Sequence, residues 1–321
     1  MQELNAYFQR QLPLVNERLA AEAAGLQGLV RGVAEHVLLS GGKRIRPVLT
    51  ILFARLLGYG GDPLPLACAL EMLHSATLIH DDVLDGARLR RGRDAAHVAF
   101  GTTEAILAGD VLLALANRLG ADYGNPRVCL LLAEGIMATA QGEVLELTHI
   151  GNPVAARDAY LEIVTGKTAR LIEAACRLGA ALAGADRPRE DAAGAYGLNL
   201  GIAFQLVDDA LDYDQGAETL GKPAAGDLRE GKLTLPLILL LEDLPAAERS
   251  GVLERLRSGE LSNDERDVLL ARVREGGYAE RTRQAAAEYV DTALKALDAL
   301  PEGEKRTVLG QAAEYVLARR K

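Results

Sequence analysis

Apolar residues recur three and four positions apart through most of the chain. Leu66, Leu70, Leu73 and Thr77 share a face in one segment, and Ile163, Leu171, Ala174 and Leu178 do so in another. That is the period of an amphipathic helix, and the β-branched alternation of strands is scarce. Gly and Pro break the pattern at Leu57–Pro65, Gly120–Pro126, Gly151–Pro153, Gly184–Pro188 and Gly216–Gly226. The segments between the breaks run to about 20 to 30 residues, long for a helix. Asp264–Arg274, Tyr278–Leu297 and Glu304–Arg320 read as amphipathic helices that close the assembly. No break has the composition of a domain boundary and no fixed-period repeat is present. The pattern predicts one all-α bundle over 1–321.

Composition narrows the class. Hydrophobic residues make up 49% and charged residues 25% of 321 positions, which excludes a disordered chain, a collagen and a disulfide scaffold. The net charge of -9 argues against a duplex-DNA partner, which calls for a basic excess. The three cysteines, Cys68, Cys129 and Cys176, have no metal-ligand spacing and sit in Ala/Leu-rich stretches. Buried free thiols in a reducing compartment are expected. The N-terminus lacks the apolar segment of a signal peptide. No uninterrupted apolar run, Leu237–Leu241 among them, approaches the about 20 residues of a membrane span. A cytoplasmic protein without membrane insertion is the expectation.

The chemistry lies in two acidic triplets. Asp81, Asp82 and Asp85 follow the apolar stretch Leu66–Ile79. On a helix, Asp81 and Asp85 lie one turn apart on one face, with Asp82 beside them. Negative charge near a helix C-terminus opposes the macrodipole, so a counter-ion is called for. Asp208, Asp209 and Asp212 repeat the spacing after another apolar stretch. Oxygen-only donors point to a hard cation, Mg²⁺ or Ca²⁺, and Mg²⁺ combines one or two carboxylates with phosphate oxygens and water. Cations stand nearby in sequence: Lys43, Arg44 and Arg46 after Gly41–Gly42, then Arg88, Arg90, Arg91 and Arg93, then Lys167, Lys222 and Lys232. The two glycines permit close backbone approach. Carboxylates for metal beside separate cations for phosphate suggest two phosphate sites, one held through metal and one held directly.

Seven stretches together carry a resemblance: GGKRIRP (41–47), HSATLIHDDVLD (74–85), LRRGR (89–93), QGEVLEL (141–147), GKTA (166–169), FQLVDDALDY (204–213) and GKPAAGDLREGKLTLPLI (221–238). In order and content they resemble the trans-isoprenyl diphosphate synthase (polyprenyl synthetase) family, most closely its long-chain, octaprenyl-type members. The resemblance implies an all-α, single-domain bundle around a central cavity, usually a homodimer. It implies that Asp81, Asp82, Asp85, Asp208, Asp209 and Asp212 bind Mg²⁺, three ions with the allylic diphosphate. Arg90, Lys167, Lys222 and Lys232 would hold that diphosphate directly. Gly42, Lys43, Arg46, His74 and Arg91 would hold isopentenyl diphosphate. Thr168 and Gln205 would line the reacting carbons, and Gln141 would be a polar cavity residue.

Product length would be set by side chains before the first triplet. Ala76 and Thr77 are small, where bulky aromatics would indicate a short product. The family pattern then implies an all-trans chain of hexaprenyl to decaprenyl length, with octaprenyl at the centre. The basic end Arg319-Arg320-Lys321 resembles the tail with which farnesyl synthases cover isopentenyl diphosphate, and it also suits a helix C-terminus without function. A short-chain farnesyl or geranylgeranyl synthase is the alternative within the family. From another class, an HD-type metal phosphohydrolase would use His80-Asp81, but it leaves the second triplet and GGKRIRP unexplained. A terpene cyclase needs no second diphosphate pocket, a non-catalytic subunit would lack one triplet, and a structural scaffold has no use for either. His36 and His149 read as surface or packing residues.

Overall fold

The computed structural model describes residues 1–151, 156–214, 228 and 231–319, and it is all-α. In chain order the helices are α1 (Gln2–Ala24), α2 (Gly28–Leu38), α3 (Ile45–Leu56), α4 (Leu64–Leu84), α5 (Ala96–Phe100), α6 (Thr102–Ala121), α7 (Pro126–Gly151), α8 (Arg157–Val164), α9 (Arg170–Leu182), α10 (Arg187–Asp214), α11 (Leu235–Asp243), α12 (Ala246–Ser258), α13 (Asn263–Glu275), α14 (Tyr278–Ala296) and α15 (Glu304–Ala318). The predicted helices at 264–274, 278–297 and 304–320 therefore form, with ends one or two residues displaced. The described strands are β1 (Leu89–Arg90) and β2 (Arg93–Asp94), paired antiparallel.

The chain packs as two compact units. The first comprises Met1–Met137, Leu171–Gly197 and Ala296–Ala312; the second comprises Ala138–Arg170, Leu198–Lys295 and Ala313–Lys321.

In the first unit, α4 packs along α6, and α3 packs on α4. Leu66, Leu70 and Leu73 of the predicted stripe are fully buried. Helix α9 meets α3 at Gly179, where an added Cβ would sit 2.5 Å from the Thr50 carbonyl. The Thr50 hydroxyl then reaches across to the Ala175 carbonyl at 3.0 Å. Cys68 and Cys176 are buried as expected, and burial pushes the Cys68 thiol up to about 12. Cys129 is instead exposed, because it lies on the outward face of α7 while Val128 and Leu132 point inward.

Arg44 governs the turn into α3. It adopts a left-handed backbone, φ 49°, and sends its guanidinium inward to Glu71 at 2.6 Å, to Asn16 at 3.2 Å and to the Leu38 carbonyl. Both ions are 3% exposed.

The core of the second unit gathers Tyr213, Leu237, Leu240, Leu241, Val252, Leu269, Leu270 and Val273. The apolar run 237–241 is thus a core helix, buried on all sides. Helix α13 begins with a capping box: the Glu265 amide donates to Ser262 Oγ at 3.2 Å and the Ser262 amide donates to Glu265 Oε2 at 2.9 Å.

Removing one partner of a buried ion pair strands the other charge. Arg44→Leu should therefore lower stability by about 3–5 kcal/mol in urea unfolding, and the double variant Arg44→Leu with Glu71→Leu should recover most of that loss. Equal losses in the single and double variants would show that the pair itself is not what matters.

Candidate active site

The first unit carries Asp81, Asp82 and Asp85 on the last turn of α4. Asp82 is 3% exposed and receives the Arg90 guanidinium, with Nε at 2.8 Å from Oδ1 and NH2 on the same oxygen. Asp81 is partly exposed and Asp85 is exposed. Burial acts first to lower the Arg90 pKa, but the hydrogen bonds and charge of Asp82 outweigh it and the net shift is upward. Arg90 and Arg91 sit on a hairpin whose central residues, Arg91 and Gly92, both have positive φ (53° and 76°), the geometry of a two-residue type I′ turn. Arg91 reaches back to the Gly41 carbonyl and to Ser40 Oγ at 3.5 Å.

Gly42 lies directly under that guanidinium; an added Cβ would be 3.0 Å from Arg91 NH1. Lys43 is exposed, Arg46 is partly buried, and the Arg46 Nε has no hydrogen-bond partner. Burial holds the Arg46 guanidinium below its usual range, and the charge of Arg91 adds to this. A small pocket is lined by Asp82, Arg90 and Arg91 together with His36, Ser40 and Ser75. The last three were not singled out by sequence; His36 looked ordinary there, and its ring bonds the Asp94 carbonyl at 2.8 Å.

His74 faces the same cations. Burial drives its pKa well below 6.5, and Arg46, Arg91, Arg90 and Arg44 push it further in that direction. It is a neutral imidazole at pH 7. His80 turns to the Ile106 carbonyl at 3.2 Å and lies 3.7 Å from Asp110. Gly109 makes room for its ring. Ala76 is fully buried and Thr77 is partly exposed, with its hydroxyl on the His74 carbonyl at 2.8 Å.

The second unit carries the other triplet. Asp209 is 4% exposed. The Tyr160 hydroxyl donates to its Oδ2 at 2.5 Å and Gln205 Nε2 donates to its Oδ1 at 2.7 Å. Asp208 is exposed and accepts from Arg319 NH2 at 2.6 Å; Asp212 is partly exposed. Thr168 Oγ1 donates to Gln205 Oε1 at 3.1 Å. Lys167 and Thr168 lie on a π-helical turn, Thr165–Ala169, a form common at functional sites.

The turn is seated by backbone contact. An added Cβ on Gly142 would lie 2.3 Å from the Lys167 amide nitrogen, and one on Gly201 would lie 2.6 Å from the Ala169 Cα. Glu143 and Glu146, on the Gly142 face of α7, thereby meet Lys167 Nζ at 2.6 and 2.5 Å. Burial acts to lower the Lys167 pKa, and Glu146 and Glu143 reverse the shift upward. Lys232 Nζ is 3.7 Å from Glu146.

Two expectations need correction. Gln141 is exposed, because the face of α7 that packs holds Gly142, Glu143 and Glu146, and Gln141 lies about 140° to 160° around the helix from the two glutamates. The polar residues at that place are the two glutamates. Of the basic tail, Arg319 contacts the second acidic triplet. Its guanidinium is buried, 4.4 Å over the Phe204 ring. Arg320, Lys321 and Lys222 lie outside the described residues.

The donor set fits a hard divalent cation shared with a polyanion. In each triplet the middle carboxylate is buried and bonded, while the outer two are at least partly exposed one helical turn apart. Among the described residues no three His, Cys, Asp or Glu side chains form a cage by themselves, so substrate and water oxygens must complete any coordination sphere.

The chain matches the family model Polyprenyl synthetase over residues 27–272. It is 36% identical over 310 residues to the octaprenyl diphosphate synthase of Escherichia coli (strain K12), spanning 93% of this chain and 96% of that one. A decaprenyl diphosphate synthase from Rhodobacter capsulatus shares its structure at TM-score 0.92 and 38% identity, over 99% of both chains. A polyprenyl synthase from Caulobacter crescentus CB15, complexed with calcium and isoprenyl diphosphate, does so at TM-score 0.91 and 38% identity, over 100% of this chain and 98% of that one.

The depressed pKa of His74 has a consequence for stability. The unfolded chain binds a proton at this histidine near its ordinary value while the folded chain does not, so stability falls as pH drops below about 6.5 and is unaffected above it. His74→Gln should flatten that acid slope between pH 7 and pH 5.5 in urea unfolding. An unchanged slope would mean that His74 protonates without penalty.

Proposed function

The chain belongs to the polyprenyl synthetase family and is an enzyme of long-chain trans-prenyl diphosphate synthesis; we propose that it extends an allylic diphosphate with isopentenyl diphosphate to octaprenyl diphosphate, with Mg²⁺ as cofactor. The observation that carries the reading is the division within each acidic triplet. Asp82 and Asp209 are fixed inside, and Asp81, Asp85, Asp208 and Asp212, all at least partly exposed, would be the ligands. The calcium and isoprenyl diphosphate of the Caulobacter crescentus structure support a divalent cation and a prenyl diphosphate here. The family match takes in residues of both units, which supports one functional domain over 1–321.

Arg90, Lys167 and Lys232 hold the allylic diphosphate, and Lys43, Arg46 and Arg91 hold isopentenyl diphosphate. Neutral His74 serves there as a hydrogen-bonding group without adding charge. When bound, Mg²⁺ neutralises negative charge on the departing pyrophosphate. The cationic side chains share that task. The allylic C–O bond breaks, the double bond of isopentenyl diphosphate attacks the allylic cation, and a proton leaves to pyrophosphate. Thr168 and Gln205 line the reacting carbons and help keep out water, which would quench the cation.

Small side chains at 76 and 77 favour a long product. Ala76 is fully buried, so a larger residue there would overpack the core. Thr77, partly exposed, is the better place for a test. With labelled isopentenyl diphosphate, farnesyl diphosphate and Mg²⁺, the protein should give a ladder ending at octaprenyl, and Thr77→Phe should end it earlier. A stop at geranylgeranyl in the unaltered protein would sink the length while keeping the reaction. No extension from any primer would sink the reaction.

The protein also acts as a homodimer in this reading. On α7, Leu130, Met137 and Val144 are 48%, 56% and 64% exposed and fall seven residues apart, with Ala133 and Ala140 between them and Leu147 after them. That is a coiled-coil seam suited to a second copy. Residues 126–150 are long and apolar enough to cross a membrane by composition alone, but Glu143 and Glu146 on the other face make a dimer the better occupant. Met137→Glu with Val144→Glu should halve the mass seen by light scattering. A mass that stays at the dimer value would move the interface elsewhere. Free thiols at Cys68 and Cys176 go with a cytoplasmic location.

A further inference from the structure

Tyr160 carries no assignment in the reading above, yet it makes one of the shortest side-chain contacts of the second unit. It lies on α8, is 5% exposed, and places its hydroxyl 2.5 Å from Asp209 Oδ2. Asp209 is the acidic residue left without a ligand's role. Its other oxygen takes the Gln205 amide nitrogen at 2.7 Å, and the Gln205 carbonyl takes the Thr168 hydroxyl at 3.1 Å. Tyr160 and Thr168 thus end one hydrogen-bonded chain, with Asp209 and Gln205 in the middle.

The direction of that chain is fixed by chemistry. An ionised carboxylate only accepts, so Gln205 must turn its NH₂ toward Asp209. Its carbonyl must then face Thr168, and the Thr168 hydroxyl must spend its proton on that carbonyl. What remains on the Thr168 oxygen is a pair of lone pairs. Beside a developing allylic cation, an oxygen presenting lone pairs is stabilising and one presenting a proton is not. Gln205 alone does not set this polarity, because an amide can be turned end for end. The buried carboxylate sets it, and a carboxylate this deeply buried needs donors to stay ionised. Tyr160 is one of two whose bonds to it are described.

We infer that Tyr160 is a positioning residue: its hydroxyl holds Asp209 as the fixed acceptor that orients Gln205 and so turns the Thr168 oxygen lone pairs toward the reacting carbons. The inference rests on the prenyl-transfer reading for what Thr168 faces, but the hydrogen-bond chain can be tested apart from it.

Tyr160→Phe removes one hydroxyl and keeps the ring. It should lower kcat by about 10- to 100-fold, the range for outer partners of a catalytic group. KM for both diphosphates should stay within about twofold, because the chain touches carbon and not phosphate. Gln205→Leu cuts the same chain, so adding Tyr160→Phe to it should lower kcat no further. Losses that multiply in the double variant, or a change confined to KM, would overturn the inference. The arm without activity follows the side-chain amide of Gln205 by ¹⁵N NMR, assigned through Gln205→Leu. Tyr160→Phe should shift that resonance and speed its exchange with water while the melting temperature shows the protein folded. An unmoved resonance would overturn the inference even if kcat fell. Should the unaltered protein extend no primer while the resonance responds, the functional reading fails and the positioning of Gln205 stands.

Discussion

A carboxylate taken out of water must be given donors, and much of what surrounds the two acidic triplets follows from that requirement. Each triplet lies near the end of a helix that buries much of its length. The helix carries its middle aspartate inward with them, to 3% exposure at Asp82 and 4% at Asp209. In the first unit the requirement is met by Arg90, presented on a hairpin that turns through Arg91 and Gly92. In the second it is met by Tyr160 and Gln205. The outer aspartates are at least partly exposed to water, so their need for internal donors is smaller, and in the proposed reading they would be the metal ligands. One geometric fact, a step of about 100° between adjacent helical residues, thus separates buried from exposed carboxylates within five residues of sequence.

The same requirement disposes the cations. Lys167 lies on Glu143 and Glu146, and Lys232 lies near Glu146. A lysine so placed is already ordered and charged, and its pKa is raised rather than lowered. In the proposed reading, a diphosphate bound through it would exchange one anionic partner for another and would not create an isolated buried charge. That limits affinity for a single phosphate and favours a ligand able to engage several cations at once. The arrangement depends on backbone contact at Gly142, since a methyl group there would collide with the Lys167 amide nitrogen and move the glutamates away.

The helical class, the closing helices and the two triplets were legible because they rest on local pattern: period, punctuation and repeated spacing. The distinction within each triplet was half legible, since Asp81 and Asp85 already shared a face. What sequence missed depends on contacts between distant segments. Nothing in GGKRIRP says that Arg44 turns to Glu71 while Lys43 stays outside. Nothing near Gln141 says that the packed face belongs to Glu143 and Glu146, although Gly142 beside Gly166 hints at a close crossing. Tyr160 lay outside every motif, and the π-helical turn at Thr165–Ala169 has no pattern to announce it. Cys129 was misplaced because an apolar neighbourhood suggested burial, whereas α7 turns an apolar face outward.

The basic end of the chain shows how a contact can change the weight of a motif. Read as sequence, Arg319-Arg320-Lys321 resembled a cover for an anionic substrate and counted mildly toward a short product. In the structure the Arg319 guanidinium lies over Phe204 and donates to Asp208, so what it neutralises is an acidic residue of its own unit. In the proposed reading a divalent cation at Asp208 would compete with this guanidinium for the same oxygen. The guanidinium is the weaker rival in charge, but it is held by burial and by the aromatic ring. Its Nε and NH1 are buried without a hydrogen-bond partner. A basic residue that answers an internal carboxylate needs no substrate to explain it. Product length in the proposed reading then rests on the small side chains of Ala76 and Thr77.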